Sequence, residues 1–228
     1  MVRVAVNQSA RNGAALWLPS REWHYVHRVM RARPGDRLEV LTGDGEVWLA
    51  TVANSDGLIT LDQLLVEASP IPRVITLYQA LLKGDRFSEV VDRATQAGVS
   101  IFVPIISERT IVRDISSSKW TRWQVIAKEA SEQCGRSDVP KIGPLSRIEE
   151  IDLKSGEDGY VLHPPVAYDR PWLQPSTTPL ALVVGPEGGL TAREVESLQR
   201  RGFRPLSLGP RIFRAENAGA VAATLFLQ

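Results

Sequence analysis

The pattern of apolar and polar positions changes character once along the chain. Over residues 37–67 the apolar positions alternate with polar ones. Leu38 and Val40 are followed, across the turn signal Thr42-Gly43-Asp44-Gly45, by Val47, Leu49 and the β-branched Thr51, and then by the run Leu58–Val66. A period of two places such side chains on one face of a strand. With the segment Pro19–Arg31, read as a short helix, ahead of them, these strands predict a small β-rich module. Pro70 and Pro72 break the pattern and mark a boundary, giving domains 1–69 and 73–228.

Past Pro72 the apolar runs lose their alternation, as strands of a sheet covered on both faces do. Val74–Leu82, Ile101–Ile106, Tyr160–His163, Leu180–Gly185 and Phe203–Leu208 are five such runs. Helical patterns separate them. Phe87, Val90, Val91 and Ala94 share one face of a helix over Asp85–Ala97, with Asp85 positioned to cap its start and Gly98 its end. Trp123, Ile126, Ala127 and Ala130 do the same over Lys119–Cys134. Thr191-Ala192-Arg193-Glu194 is a capping box opening a helix to about Arg201, and Ala215–Phe226 is a last helix, apolar almost all round. Pro164–Pro179, with five prolines, is a long loop. Strands alternating with helices predict an α/β domain with a mostly parallel sheet.

Composition adds constraints. Apolar residues make up 43% of the 228, enough for a packed core rather than a disordered chain. One cysteine, Cys134, excludes an intrachain disulfide and leaves no zinc spacing. His24 and His27 lie three apart without an acidic or sulfur ligand nearby, so they are read as a helix face and no metal is expected. The amino terminus does not read as a signal peptide, and no run approaches the roughly 18 apolar residues of a membrane span. A cytoplasmic protein is the expectation.

Charge matters through its distribution. Residues 1–37 hold seven arginines against two acids, a balance of +5, whereas the whole chain carries +1. The other 191 residues therefore carry −4. Clustered arginine neutralises phosphates, so Arg3, Arg11, Arg28, Arg31 and Arg33 are candidate RNA-binding residues.

Phosphate-cradling signatures are absent: there is no G-x-x-x-x-G-K-[ST] and no G-x-G-x-x-G after a strand. Two glycine-bearing strand ends take their place. Gly185-Pro186-Glu187-Gly188-Gly189 lies between a buried run and a capped helix. Leu208-Gly209-Pro210-Arg211-Ile212-Phe213-Arg214-Ala215-Glu216-Asn217-Ala218 joins the last strand to the last helix. Ligands of open α/β sheets bind just past the carboxyl ends of strands, so consecutive loops of this kind can frame one pocket.

Taken together these two runs resemble the paired carboxyl-terminal motifs of the RsmE family, the 16S rRNA uridine-N3 methyltransferases of the SPOUT superfamily. Lys83-Gly84-Asp85-Arg86, Arg93–Val99, Pro104, Ser107-Glu108-Arg109, Arg122-Trp123, Glu129–Arg136, His27–Arg31 and Gly35-Asp36 agree in order, so the resemblance covers nearly the whole chain. It implies a PUA-like β-barrel followed by an α/β domain with a deep trefoil knot, a homodimer, and S-adenosylmethionine as cofactor. It also implies 16S rRNA, within an assembled small subunit, as substrate.

The candidate cofactor contacts are Leu162, His163, Gly185, Glu187, Gly188, Gly189, Leu208, Gly209, Ile212, Phe213 and Ala218. The candidate catalytic residues are Arg211, Arg214 and Glu216. Glu216 has three readings: proton acceptor, partner fixing an arginine, or cap of the last helix. The family usually carries Arg-Thr-Glu-Thr-Ala where this chain has Arg214-Ala215-Glu216-Asn217-Ala218, so two hydroxyls are replaced. A catalytically inactive RNA-binding homologue is the alternative function.

Overall fold

A computed structural model describes residues 2–6, 11–42, 45–66, 73–163, 171–174 and 176–227. The chain forms two compact units. One takes in Met1–Pro70 with Ser131–Val139, the other Ile71–Ala130 with Pro140–Gln228. The break expected at Pro70 and Pro72, the Gly43-Asp44 turn and most of the prolines of the 164–179 loop lie outside the described residues.

The first unit is a six-stranded sheet: β1 (Val2–Ala5), β2 (Arg11–Asn12), β3 (Ala15–Trp17), β4 (Arg37–Leu41), β5 (Val47–Val52) and β6 (Leu58–Val66). Their order is β1-β4-β5-β6-β3-β2. The pairing β1–β4 is parallel and the rest antiparallel. Leu38 and Val40 face the core as their alternation requires. Along β5 the phase is inverted: Ala50 and Val52 are buried, while Leu49 and Thr51 are only half-buried. Pairing with β4 sets this phase: Leu38 and Val40 lie opposite Ala50 and Trp48, so the even-numbered residues of β5 share their core face, and the extra residues at the two register shifts fall in β6.

The Pro19–Arg31 segment is a short helix, α1 (Ser20–His24), followed by a wider turn over Tyr25–Val29. Val26 is the side chain this segment buries in the core, and Arg31, at φ 57°, ends it. His27 stacks on Trp23 at 5.0 Å between ring centroids. Residues 131–139 join this unit through contacts no local pattern announces. The Ala5 amide donates to Glu132 Oε1 at 2.8 Å, and Val139 packs on Ala5, Leu41 and Val47.

The second unit is a parallel sheet of β7 (Ile75–Ala80), β8 (Ile101–Ile106), β9 (Lys141–Ile142), β10 (Ser146–Arg147), β11 (Asp158–Leu162), β12 (Leu180–Val184) and β13 (Arg204–Leu206). Its order is β10-β8-β7-β12-β11-β13, with β9 also paired to β8. The helices are α2 (Arg86–Gln96), α3 (Ser117–Cys134), α4 (Ala192–Arg200) and α5 (Ala215–Phe226). The expected strand and helix patterns are all present, and the two-residue strands β9 and β10 are additions too short to carry a period. Asp85 holds the N-cap position of α2, but its carboxylate takes the Ser88 hydroxyl at 2.7 Å and the Arg122 guanidinium at 2.7 Å instead of a backbone N–H.

Helix α5 runs close over the sheet. A Cβ on Gly219 would lie 2.7 Å from Leu77 Cδ2, inside van der Waals contact, so glycine is what lets helix and strand approach. At its far end Phe226 packs on Tyr160, and the Arg73 guanidinium lies over its ring at 5.2 Å. Arg73 is buried and donates to Asp158 Oδ2 at 2.6 Å and to the Thr178 carbonyl at 2.5 Å. Burial lowers its pKa, and the Asp158 carboxylate works against that shift.

Candidate active site

Because the strands of the second unit run parallel, their carboxyl ends share one edge. The loops leaving it are 81–85 after β7, 107–116 after β8, 185–191 after β12 and 207–214 after β13. A cavity of about 500 Å³ opens between the last two loops and the first turn of α5. That volume suits a small organic ligand.

The 185–191 loop owes its shape to its glycines. A Cβ on Gly185 would come within 2.9 Å of Leu190 Cγ and 3.0 Å of Leu190 N, so the turn folds back onto its own start. Gly189 has φ +69°, a conformation that L side chains rarely adopt, and its N–H donates to the Pro186 carbonyl at 2.8 Å. Its neighbours hold the loop from outside. Glu187 Oε1 accepts from the Lys83 amide at 2.9 Å and lies 3.4 Å from Arg86 Nη1. Arg109 Nη1 donates to the Gly188 carbonyl at 2.8 Å. Thr191 caps α4 through the expected capping box, and the buried Glu194 that completes it also accepts the Glu108 amide at 2.7 Å.

The 207–214 loop is pinned by Ser207, whose hydroxyl donates to the Gly209 carbonyl at 3.1 Å. Gly209 sits at φ +127°. Beyond it Arg211, Ile212, Phe213 and Arg214 are all exposed, Ile212 by 80%. The chain then enters α5, whose first turn carries Glu216. That carboxylate is buried, and Arg214 Nη1 lies 4.0 Å from it. A carboxylate in the first turn of a helix is favoured by the helix dipole.

Eleven of the fourteen catalytic and cofactor candidates meet at this one cavity. Leu162, Gly185, Glu187, Gly189, Leu208, Ile212, Phe213 and Ala218 line it together with Arg211, Arg214 and Glu216. His163, Gly188 and Gly209 are not among the lining residues. The His163 amide donates to the Leu206 carbonyl at 3.1 Å, and a Cβ on Gly188 would touch the Arg109 stem at 3.6 Å. Arg86, Val184, Pro186, Leu206, Ser207 and Ala215, which also line the cavity, were not among the candidates, although Pro186 and Ala215 belong to the two glycine-bearing runs. Val184 and Leu206 end strands flanking the cavity and were within reach of the strand-end rule. Arg86, about 100 residues before Glu187, belongs to a run that carries the family resemblance, but no local pattern places it at the cavity.

Of the five RNA-binding candidates, all in the first unit, Arg3 is paired to Glu39 Oε2 at 2.5 Å. Arg28, Arg31 and Arg33 are exposed. The Arg11 side chain lies outside the described residues. Among the described residues no group of three His, Cys, Asp or Glu side chains is placed to hold a metal, and no helix is long and apolar enough to cross a membrane.

The replacement at position 217 also acquires a partner. Arg93 of α2, bridged to Glu89 at 2.7 Å, donates to the Asn217 side-chain oxygen, so the amide fastens the start of α5 to α2.

A family model described as RNA methyltransferase domain matches residues 69–227, and one described as RNA methyltransferase PUA domain matches residues 18–62. Ribosomal RNA small subunit methyltransferase E of Synechocystis sp. is 35% identical over 217 residues, covering 92% of this chain and 71% of that one. The chain belongs to the ribosomal RNA small subunit methyltransferase E family. The Bacillus subtilis member is 29% identical over 86% of this chain and 83% of its own. A crystal structure of the family member from Neisseria gonorrhoeae, bound to S-adenosyl methionine, has a TM-score of 0.86 at 28% identity and covers 98% of this chain and 95% of that one. The α/β architecture behind an amino-terminal PUA domain is therefore that of the family.

Proposed function

We propose that this chain is an S-adenosylmethionine-dependent methyltransferase of small-subunit ribosomal RNA, acting on N3 of a uridine in 16S rRNA. The observation that carries the reading is a single cavity. Two glycine-bearing strand ends and a buried carboxylate meet there, with arginines at its mouth, in a chain of this family. The lining fits the cofactor. Leu162, Leu208, Ile212, Phe213 and Ala218 offer apolar surface to an adenine, Gly189 leaves open space where a side chain would stand, and Glu187 and Glu216 offer negative charge to a cationic ligand.

When bound, S-adenosylmethionine supplies a methyl group made electrophilic by its sulfonium. The chain's own tasks are to hold both reactants in line and to manage the N3 proton of the uridine. Arg211 and Arg214, exposed at the mouth, stabilise negative charge developing on the base. Glu216 takes the proton or holds Arg214 in place. Arg28, Arg31 and Arg33, exposed on the amino-terminal unit, engage rRNA phosphates. An assembled small subunit as substrate, the family's deep trefoil knot and a cytoplasmic location belong to the same reading.

So does a homodimer: Ala220, Val221 and Leu225 of α5 remain half-exposed in the single chain and form an apolar stripe for a partner. Light scattering at micromolar concentration is expected to give twice the chain mass, and a monomer there would exclude the dimer. The decisive test of the activity is nucleoside mass spectrometry of small-subunit rRNA from a strain lacking the gene. One 3-methyluridine is expected to disappear and to return with the wild-type gene. An unchanged methylation profile would refute the assignment.

A further inference from the structure

Most arginines with a structural role in the second unit are matched to carboxylates. Arg86 meets Glu187, Arg93 meets Glu89, Arg122 meets Asp85, and Arg73 and Arg204 share Asp158. Arg200 and Arg201, at the end of α4, bond carbonyls instead, and so do two arginines on the 107–116 loop. Arg109 Nη1 donates to the Gly188 carbonyl at 2.8 Å and Arg113 Nη2 to the Glu108 carbonyl at 3.0 Å. Among the described residues neither has a carboxylate partner. A carbonyl orients a guanidinium but leaves its charge intact, and one such bond leaves four of its five N–H donors free. Both side chains are exposed.

The start of the loop that carries them is tied down. Thr110 is buried and accepts the Ser107 amide at 2.9 Å, with the two hydroxyls 2.8 Å apart. The Glu108 amide is tied to Glu194. Between the two arginines Ile111 is 67% exposed, an apolar contact for a sugar or base edge. Arg109 rests directly on the glycine loop that borders the cavity. Oriented guanidinium groups without a carboxylate partner, carried on one loop, are suited to grip phosphate oxygens.

We infer that Arg109 and Arg113 form a phosphate clamp for the substrate RNA strand beside the cavity, so that the catalytic unit contributes RNA affinity of its own. The clamp rests on the rRNA methyltransferase reading above. Its function is to hold the backbone next to the target nucleotide, and it works alongside the exposed arginines of the first unit.

The test uses the full-length protein, filter binding of small-subunit rRNA over a range of salt, and KM for purified small subunits from a strain lacking the gene. Each phosphate contact contributes about 0.7 to 0.9 to the slope of log affinity against log salt. The double variant Arg109→Gln/Arg113→Gln is expected to lose about 1.5 from that slope and to raise KM about tenfold. Arg109→Lys/Arg113→Lys, which keeps both charges, is expected to retain most of the slope. Arg113→Gln alone, whose anchor is not on the glycine loop, is expected to lose about 0.7, and it carries the test if the double variant is unstable.

A folded double variant with unchanged slope and KM overturns the clamp. So does one that loses S-adenosylmethionine affinity, measured by calorimetry, while its slope is unchanged, because Arg109 then serves only the glycine loop. Failure of the reading beneath is seen separately, in a wild-type protein that neither binds S-adenosylmethionine nor methylates rRNA.

Discussion

Gly189→Val is expected to weaken S-adenosylmethionine binding at least about tenfold in a protein that still folds, as read by calorimetry. Two costs act together. Gly189 holds φ +69°, and a β-branched residue forced into that region costs on the order of 1–3 kcal/mol. Relief of that strain reshapes the loop between Pro186 and Leu190, whose closing bond is the Gly189 N–H to the Pro186 carbonyl. The second cost is steric. Nothing in the protein lies within 4 Å of the Cβ position, so the isopropyl group stands in open space on a residue that borders the cavity. Its neighbour is the control. Gly188 is outside the left-handed region, does not line the cavity, and its added Cβ would make ordinary contact with the Arg109 stem at 3.6 Å. Gly188→Ala is expected to change affinity less than about threefold. Equal affinities for wild type and a folded Gly189→Val would move the cofactor off this loop.

What the sequence made legible followed from local periodicity and its punctuation. The buried runs and helical faces of the second unit, the Thr191–Glu194 capping box and the two glycine-bearing loops all depend on residues within a turn or a strand of one another. What it hid depends on partners far along the chain. The phase of β5 follows from its pairing with β4, which sets Ala50 opposite Leu38, and an alternating pattern does not say which of its two faces meets the core. Residues 131–139 join the first unit through Glu132 and Val139, over 120 residues from Ala5, at the end of a helix that reads as one continuous element. Asp85 sits where a cap belongs, yet its carboxylate goes to Ser88 and Arg122, a choice set by α3. The same limit separates Gly188 from Gly189: the glycine run marks the loop, but only the backbone angles say which of its members must be glycine.

One kind of contact braces the glycine side of the site. Carboxylates on one loop accept backbone amides from another, as Glu187 does from Lys83 and Glu194 from Glu108, which joins the loops after β7, β8 and β12 into one frame. Charge-assisted bonds of this sort are about twice as strong as neutral ones. The 207–214 loop has fewer of them and carries the exposed Arg211, Ile212, Phe213 and Arg214. The braced 185–191 loop thus borders the cavity on the glycine side, and the residues assigned to the uridine sit on the less restrained side.

Glu216→Gln is expected to lower kcat for small-subunit methylation by about 100-fold or more, the usual contribution of a positioned proton acceptor, while S-adenosylmethionine affinity stays within about threefold. The carboxylate is buried at the cavity wall, in the first turn of α5, and its recorded ion-pair partner is Arg214 at 4.0 Å, whose own side chain is 80% exposed. So long a contact to so exposed a partner supplies little stability. That leaves the helix dipole as the local support for the charge, and the cavity as the place where it acts. Glutamine preserves the shape and removes the negative charge and the ability to accept a proton. If Glu216 takes the N3 proton directly, Glu216→Asp, which keeps a carboxylate, retains more of the rate than Glu216→Gln does. If Glu216 works by holding Arg214, then Arg214→Lys lowers kcat as far as Glu216→Gln does, and the double variant is no slower than either alone. Either pattern keeps the carboxylate in the chemistry. Wild-type kcat in Glu216→Gln with a lowered thermal midpoint would reduce Glu216 to the buried cap of α5, and the proton would have to leave by way of solvent or the RNA itself.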